Sequence, residues 1–186
     1  DRTRAILARD GVRAVRIDWR ENVRKWHPGQ DWVWEPGGFG VCDPGINALS
    51  IFTKIMPFPV FVESARLTFP ANRQTPVDVE IAFKSGQLHQ PELSAGFNWL
   101  EEDGEVWTIR VETGAGDTIR LEGGGRSLTI NDELVLKHGD GEYAAMYDHF
   151  AGLLERHESD VDAAPLRLMS DVFLMGARVN GPEFEW

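Results

Sequence analysis

The amino-acid sequence predicts an α+β fold, with a large, mostly antiparallel β-sheet and helices packed on one face. From residue 60 to 137, short segments alternate apolar and polar side chains and are separated by glycine-containing turns. These turns are too short to hold crossover helices, which favours antiparallel neighbours. Helical periodicity occurs only before and after this run, so we expect the helices to cover one face of a single sheet.

Four segments outside the strand run have the apolar spacing that is typical of helices. They cover residues 2 to 10, a segment that starts at Asp43 and ends before Pro57, Glu142 to Arg156, and Pro165 to Arg178. Within the strand run we expect about five or six strands in a meander. The last two helices have apolar stripes, which predict that they pack against the sheet.

A further long strand is predicted for Val12 to Lys25, because successive side chains there point to opposite faces. One face carries the following side chains: Val15, Ile17, Trp19, Glu21 and Val23. Glu21 is thus an acid on an apolar face. It is either the ion-pair partner of Arg66 or Arg73, or a site residue that accepts hydrogen bonds from a ligand.

Composition and charge exclude several classes of protein. The 186 residues, of which 42% are hydrophobic and 26% charged, fit one globular domain. A net charge of −11 without a basic patch argues against a nucleic-acid partner, and no segment has the ~20 apolar residues of a membrane span. Because Cys42 is the only cysteine, an internal disulfide is impossible and a cytoplasmic location is expected.

Aromatic and polar residues are concentrated around a loop that is predicted for residues 28 to 40, which are rich in glycine and proline. Four of the seven tryptophans lie between residues 19 and 34. Indole rings combine a flat apolar surface with one polar N–H, and sugar pockets use both. His27 lies where the strand ends and the loop begins, a common location for functional residues.

Asp43 and Asn47 are four residues apart in the helix that follows this loop, so both side chains project from one side of it. The pair could bracket a ligand that is rich in hydroxyl groups. Alternatively, Asp43 is an ordinary N-cap, because it precedes Pro44 at a helix start. The sequence leaves both interpretations open.

Metal and nucleotide sites are not expected in this chain. No two histidines have the i, i+4 spacing of metal ligands, and there is no Cys/His cluster. The glycine motifs at residues 114–116 and 123–125 lie between predicted strands, whereas a phosphate-binding loop leads from a strand into a helix. Both motifs are therefore predicted to be hairpin turns, and no cofactor-binding residue is predicted.

Three motifs carry a resemblance to a known family: Trp26-His27-Pro28-Gly29-Gln30, Trp34-Glu35-Pro36-Gly37-Gly38 and Asp43-Pro44-Gly45-Ile46-Asn47. Together they resemble the Gfo/Idh/MocA oxidoreductases. The resemblance implies that residues 1–186 are the substrate-binding, catalytic C-terminal domain, and that the N-terminal Rossmann domain is missing from the chain. NAD or NADP would bind to the missing domain, so this domain alone is expected to bind neither and to be inactive.

The resemblance also assigns roles. It implies an aldose 1-dehydrogenase that converts a galactose- or arabinose-like sugar to a lactone, with Asp43 and Asn47 on the catalytic helix and Glu21, Trp26 and His27 in the sugar pocket. Asn47 stands where the wider family has histidine, and an asparagine side chain takes up no proton at working pH. Asp43 is therefore the expected base in this chain, alone or with a lysine of the missing domain.

Two alternatives to the enzyme remain open. The chain could be a sugar-sensing or regulatory relative without enzymatic activity, or a dimerisation module whose polar sheet face pairs with a second copy, as the sheets of family members do. A monosaccharide and a possible homodimer are the expected partners. Neither nucleic acid nor a membrane is expected.

Overall fold

The structure is a computed structural model that describes residues 2–139 and 142–186. The α-helices in these ranges are α1 (Arg2–Asp10), α2 (Val23–Trp26), α3 (Cys42–Ile55), α4 (Glu142–Arg156) and α5 (Ala164–Met175). The strands are β1 (Val12–Arg20), β2 (Val60–Pro70), β3 (Asp78–Ser85), β4 (Glu92–Asn98), β5 (Val106–Thr113), β6 (Thr118–Glu122), β7 (Ser127–Ile130), β8 (Glu133–Lys137) and β9 (Ala177–Gly181).

All nine strands of the described residues form one sheet, in the order β8-β7-β6-β5-β1-β4-β3-β2-β9. Only the β1–β4 and β2–β9 pairs are parallel, so the predicted mostly antiparallel sheet is confirmed. The run from 60 to 137 holds seven strands rather than five or six. It is also not a simple meander, because β1 inserts between β4 and β5 and hydrogen-bonds to both.

The long strand predicted for Val12 to Lys25 is too long, because β1 ends at Arg20. The Asn22 side chain accepts a hydrogen bond from the Arg24 amide and caps the short helix α2, which turns the chain out of the sheet. Glu21 therefore lies just beyond the strand end, where it is nevertheless buried. The loop after it contains a 3₁₀ turn, Asp31–Trp34.

Helices α1, α3 and α5 pack as predicted, on one face of the sheet. Helix α3 contacts β1 and β5, helix α5 contacts β2, and both α1 and α5 contact α3. The core between these layers includes Leu7, Leu49, Phe52, Met169 and Val172.

Helix α4 has the predicted bounds, but it does not pack as expected. The apolar stripe of Tyr143, Met146, Phe150 and Leu154 is more than half exposed. Within the described ranges, no helix is long and apolar enough to cross a membrane.

The predicted helix from Pro165 to Arg178 is wrong at its C-terminal end. Helix α5 stops at Met175, and Gly176 takes an extended conformation that leads directly into β9. A Cβ at Gly176 would lie 2.5 Å from the Val172 carbonyl oxygen and 2.2 Å from Leu67 Cδ1, so glycine is required where the chain turns from α5 to run alongside β2. Strand β9 then pairs in parallel with β2 at the edge of the sheet.

Two glycines fix the position of α3 on the sheet. Gly40 has a φ of +55°, and a Cβ there would lie 2.2 Å from the Pro76 carbonyl oxygen. The next residue, Val41, donates its amide to the same oxygen at 2.8 Å. One turn later, a Cβ at Gly45 would meet the Phe97 ring at 2.7 Å. The first turn of α3 therefore lies directly on β4.

Candidate functional site

An open pocket of about 570 Å³ lies where α3, the adjacent ends of β1 and β5, and the β6–β7 turn meet. Its lining is Trp19, Glu21, Asn47, Ser50, Ile51, Trp107, Gly123, Gly124, Arg126, Gly139 and Tyr143. Two of the five predicted site residues, Glu21 and Asn47, thus face one space. Trp19 and Trp107 are cross-strand neighbours, and their stacked rings have centroids 6.0 Å apart.

Glu21 is held in this pocket by two indole N–H groups. Trp99 Nε1 donates to Glu21 Oε1 at 3.0 Å, and Trp107 Nε1 donates to Oε2 at 3.2 Å. Burial raises the pKa of the Glu21 carboxyl above its ordinary value, and the charge of Asp43 acts in the same direction. The two indole hydrogen bonds and the His27 charge oppose this rise in the pKa.

The ion-pair interpretation of Glu21 is wrong. Among the described residues, no salt bridge joins Glu21 to Arg66 or Arg73. Arg73 Nη1 lies 3.7 Å from Asp31 Oδ1 instead. Each carboxylate oxygen of Glu21 uses one lone pair on an indole and keeps another. The group can therefore accept hydrogen bonds from the hydroxyl groups of a ligand in the pocket.

The capping interpretation of Asp43 is also wrong. Helix α3 begins at Cys42, its N-cap residue is Val41, and the N-terminus has no side-chain cap. Asp43 instead lies inside the first helical turn, with its half-exposed carboxylate 3.9 Å from His27 Nε2.

The predicted site residues form one neighbourhood, although not all of them line the pocket. His27 and Asp43 contact each other and act electrostatically on Glu21. Trp26 packs against the Trp107 ring, with centroids 5.7 Å apart, and is almost half exposed. The neighbourhood thus has a pocket wall, formed by Glu21 and Asn47, and a rim formed by the other three residues.

The seven tryptophans of the chain belong to one aromatic network around Glu21. Trp26 and Trp19 contact Trp107, while Trp34 contacts Trp99 and Trp186. The His27 ring lies between Trp32 and Trp99. Glu21 joins the two halves of this network, because it accepts one hydrogen bond from each half.

Sequence reasoning missed Trp99, Trp107 and the β6–β7 turn as site residues. Trp107 reaches the pocket because β1 pairs with β5, which sets Trp107 opposite Trp19. Both glycine motifs are hairpin turns as predicted, yet Gly123 and Gly124 also line the pocket. Without the strand order, the available signal was the tryptophan content of the β-rich region.

Neither the acids and histidines of the described residues nor the Cys42 thiol adds a further chemistry to this site. In the part of the chain that the structure describes, no group of three or more His, Cys, Asp and Glu side chains could hold a metal ion. Cys42 lies beside Asp43 but is buried, and burial raises the pKa of its thiol far above the ordinary value. Its thiol therefore stays protonated and serves as packing.

The chain is similar to known sugar dehydrogenases. It is 46% identical to a galactose 1-dehydrogenase from Pseudomonas fluorescens over 178 residues, which are 96% of this chain and 57% of that relative. It is 41% identical to a D-galactose-1-dehydrogenase from Rhizobium etli, whose crystal structure matches with a TM-score of 0.92 over 99% of this chain and 58% of that protein. The chain thus spans less than two thirds of either relative.

A more distant structural match is a 3-ketoreductase from Actinomadura kijaniata, solved with NADP and TDP-benzene. It is 13% identical, and a TM-score of 0.75 over 97% of this chain and 60% of that protein shows a shared fold. No family model matches the chain. Over the part of these relatives that it spans, the chain is a homologue of galactose 1-dehydrogenases, which confirms its resemblance to the Gfo/Idh/MocA oxidoreductases.

Proposed function

We propose that the chain is the substrate-binding, catalytic domain of an NAD(P)-dependent aldose 1-dehydrogenase, which oxidises a galactose- or arabinose-like sugar to its lactone. The observation that carries the proposal is the pocket in which Glu21 and Asn47 face the stacked Trp19 and Trp107 rings. A carboxylate and an amide bind sugar hydroxyl groups, and indole faces cover the apolar C–H surface of a pyranose. The two galactose dehydrogenases that resemble the chain support this substrate class.

The nucleotide site is proposed to lie outside residues 1–186. The chain spans 57% and 58% of the two galactose dehydrogenases, which leaves length for a second domain in each of them. The glycine motifs of the chain join strand to strand, and this geometry does not fit a dinucleotide pyrophosphate. When bound there, the nicotinamide would be the acceptor for the hydride that leaves the anomeric carbon.

The residues of this chain would hold the sugar and remove its proton. Oxidation of the anomeric hydroxyl releases one proton, and Asp43, in the first turn of α3, is the proposed acceptor, alone or with a lysine of the other domain. His27, whose Nε2 lies 3.9 Å from Asp43 Oδ2, is proposed to hold the carboxylate in place. Glu21, Asn47 and Trp26 hold the sugar in place.

The experiment that tests this function uses the whole protein, at the full length of its relatives. Reduction of NAD or NADP is followed with D-galactose, L-arabinose and D-fucose, and with D-glucose as a comparison, and the lactone product is identified. We expect reduction that depends on a sugar of the galactose configuration. No sugar-dependent reduction with either nucleotide would overturn the proposal, and reduction by the 186-residue chain alone would overturn the location of the nucleotide site.

A sugar-sensing relative without activity is not favoured, because the similar proteins are named as dehydrogenases. A homodimer through the outer sheet face is compatible with the enzyme. The dimer is supported by the pairing of charged side chains on this face. Asp18 Oδ1 lies 3.0 Å from Arg16 Nε, and Asp18 Oδ2 lies 2.8 Å from Arg110 Nη1. Paired charges lose less free energy on desolvation than single ones.

Light scattering tests the dimer. We expect the whole protein to have twice its chain mass. We expect Asp18→Arg, which removes the acid that Arg16, Arg20 and Arg110 share, to dissociate. A monomeric wild type would contradict the proposal.

A cytoplasmic location is proposed because the single cysteine is buried and forms no disulfide, and fractionation of cells tests it.

A further inference from the structure

Residues Phe184 to Trp186, here called the tail segment, pack against the back of the candidate site. The Phe184 ring lies 4.6 Å from Trp34, and the Trp186 ring lies 6.3 Å from it. Trp186 Nε1 also donates to Asp31 Oδ1 at 2.7 Å. The tail segment therefore contacts both ends of the 3₁₀ turn in the loop that precedes α3.

Specific polar contacts hold the tail segment in this position. Asn72 accepts a hydrogen bond from the Phe184 amide at 2.9 Å and donates to the Phe184 carbonyl at 3.0 Å. The Arg24 guanidinium lies 4.6 Å above the Phe184 ring and also donates to the Glu185 carbonyl. Phe184 is 4% exposed, so it is an integral part of the fold.

A short chain of contacts leads from the tail segment to the pocket. Trp34 touches the tail segment on one side, and on the other its ring packs edge-on against Trp99, with centroids 5.4 Å apart. Trp99 in turn donates its indole N–H to Glu21. Two ring contacts and one hydrogen bond thus connect Phe184 to the Glu21 carboxylate.

Ring packing and the Arg73 guanidinium, which lies 6.0 Å from the ring centroid, fix the orientation of Trp34. Its side chain is buried, and its Nε1 has no hydrogen-bond acceptor among the described residues. Its backbone carbonyl accepts the Gln74 amide, which holds the main chain but not the ring. Of the ring systems in contact with Trp34, the tail segment supplies two and Trp99 is the third.

We propose that the tail segment is a positioning element for the candidate site: it holds Trp34 against Trp99 and thereby holds the Glu21 carboxylate where it faces the pocket. No residue of the tail segment lines the pocket, so the role is indirect. The positioning itself does not depend on the identity of the substrate. Its consequence for sugar affinity rests on the function proposed above.

The test uses three variants of the whole protein. Trp186→Ala removes one ring and the bond to Asp31, and Trp186→Phe keeps a ring and loses only the bond. Phe61→Ala is the matched control, because it removes an exposed aromatic ring on β2 that belongs to no contact of this network. The readouts are the NMR resonance of the Trp99 indole N–H over a range of pH, and separate values of KM and kcat for the sugar.

We expect Trp186→Ala to shift the Trp99 indole resonance and to move the titration of Glu21 to higher pH, because a weakened hydrogen bond stabilises the carboxylate less. Aromatic contacts of this kind correspond to about a two- to tenfold change in an equilibrium, so the sugar KM should rise by that factor with little change in kcat. Trp186→Phe should lie between wild type and Trp186→Ala. Phe61→Ala should match the wild type in every readout.

An unchanged Trp99 resonance and Glu21 titration in Trp186→Ala would overturn the proposal, and so would an equal rise of KM in Phe61→Ala. Glu21→Gln separates this proposal from the proposed function. If the Trp99 resonance moves in Trp186→Ala while Glu21→Gln leaves the sugar KM unchanged, the positioning is supported and the sugar contact of Glu21 is wrong. If Glu21→Gln raises the KM and Trp186→Ala does not, the tail segment is structural only.

Discussion

Glu21 is a buried acid whose neighbours are indoles rather than cations. Its oxygens accept N–H bonds from Trp99 and Trp107, and the charged groups that act on its pKa are His27 and Asp43. Burial of this carboxylate raises its pKa, and the two hydrogen bonds and the His27 charge offset only part of this rise. The residue therefore titrates differently in the folded and unfolded states, which makes stability depend on pH.

Replacement of Glu21 by glutamine tests this dependence. The pKa of Glu21 is higher in the folded state than its ordinary value of 4.5, so its favourable contribution to stability is complete below 4.5 and is lost as the pH rises through the raised pKa. The free energy of unfolding of the wild type should thus fall relative to that of Glu21→Gln over this window. Denaturant titrations of both proteins across pH measure the difference, and a difference that is constant with pH would contradict the account.

Trp107→Phe tests the hydrogen bond from the pocket wall. Phenylalanine keeps an aromatic ring beside Trp19 but loses the N–H that donates to Glu21 Oε2 at 3.2 Å. Hydrogen bonds to charged groups contribute about 1.5–3 kcal/mol, so a loosened Glu21 should raise the sugar KM of the whole protein by roughly tenfold or more.

The control is Trp32→Phe, because the Trp32 indole is exposed and donates to Gln30 rather than to Glu21. Steady-state kinetics of the two variants with D-galactose measure the effect. Equal KM values for Trp107→Phe and Trp32→Phe would show that the bond to Glu21 does not matter for the sugar.

At the scale of elements, α3 determines where Asp43 and Asn47 lie, and Gly45 determines how closely α3 approaches β4. Alanine at Gly45 would bring a Cβ to 2.7 Å from the Phe97 ring, so the helix start must move or the ring must leave its position. Overpacking of this kind lowers the free energy of unfolding by about 1–3 kcal/mol. We expect Gly45→Ala to be destabilised by this amount and also to lose sugar affinity.

Gly86→Ala provides the comparison, because nothing lies within 4 Å of a Cβ at Gly86. Its free energy of unfolding should stay within about 0.5 kcal/mol of the wild type. Denaturant unfolding of the two variants measures the difference, and equal stabilities would mean that α3 is not pressed against β4.

Local patterns predicted the existence of these elements better than their ends. The end of α3 followed from Pro57, whereas its start was missed by one residue, because the helix begins at Cys42 rather than at Asp43. Alternation beyond Arg20 suggested a continued strand, but the Asn22 cap turns the chain into α2. Side-chain alternation carries no information about such a local hydrogen bond, so the error at the end of β1 has a physical cause.

At the scale of the whole molecule, the candidate site is assembled from segments that lie far apart in the sequence. The motifs around residues 21 to 47 predicted one part of it. The strand order brings Trp99 and Trp107 together, because β1 lies between β4, which ends just before Trp99, and β5, which contains Trp107. Pairing between distant strands depends on the complete sheet, so neither residue could be assigned from periodicity, nor could the packing of Phe184 behind the site.

Asp43, in the N-terminal turn of α3, is proposed to remove the proton of a sugar that is held in the pocket beside Glu21. This role is tested most directly by sugar-dependent reduction of NAD or NADP in the whole protein, for wild type, Asp43→Asn and the control Asp103→Asn, which changes an acid in an exposed turn. Loss of a general base corresponds to about a 10²- to 10⁴-fold fall in kcat, which we predict for Asp43→Asn, with Asp103→Asn unchanged. A kcat of Asp43→Asn equal to that of the wild type would contradict the account.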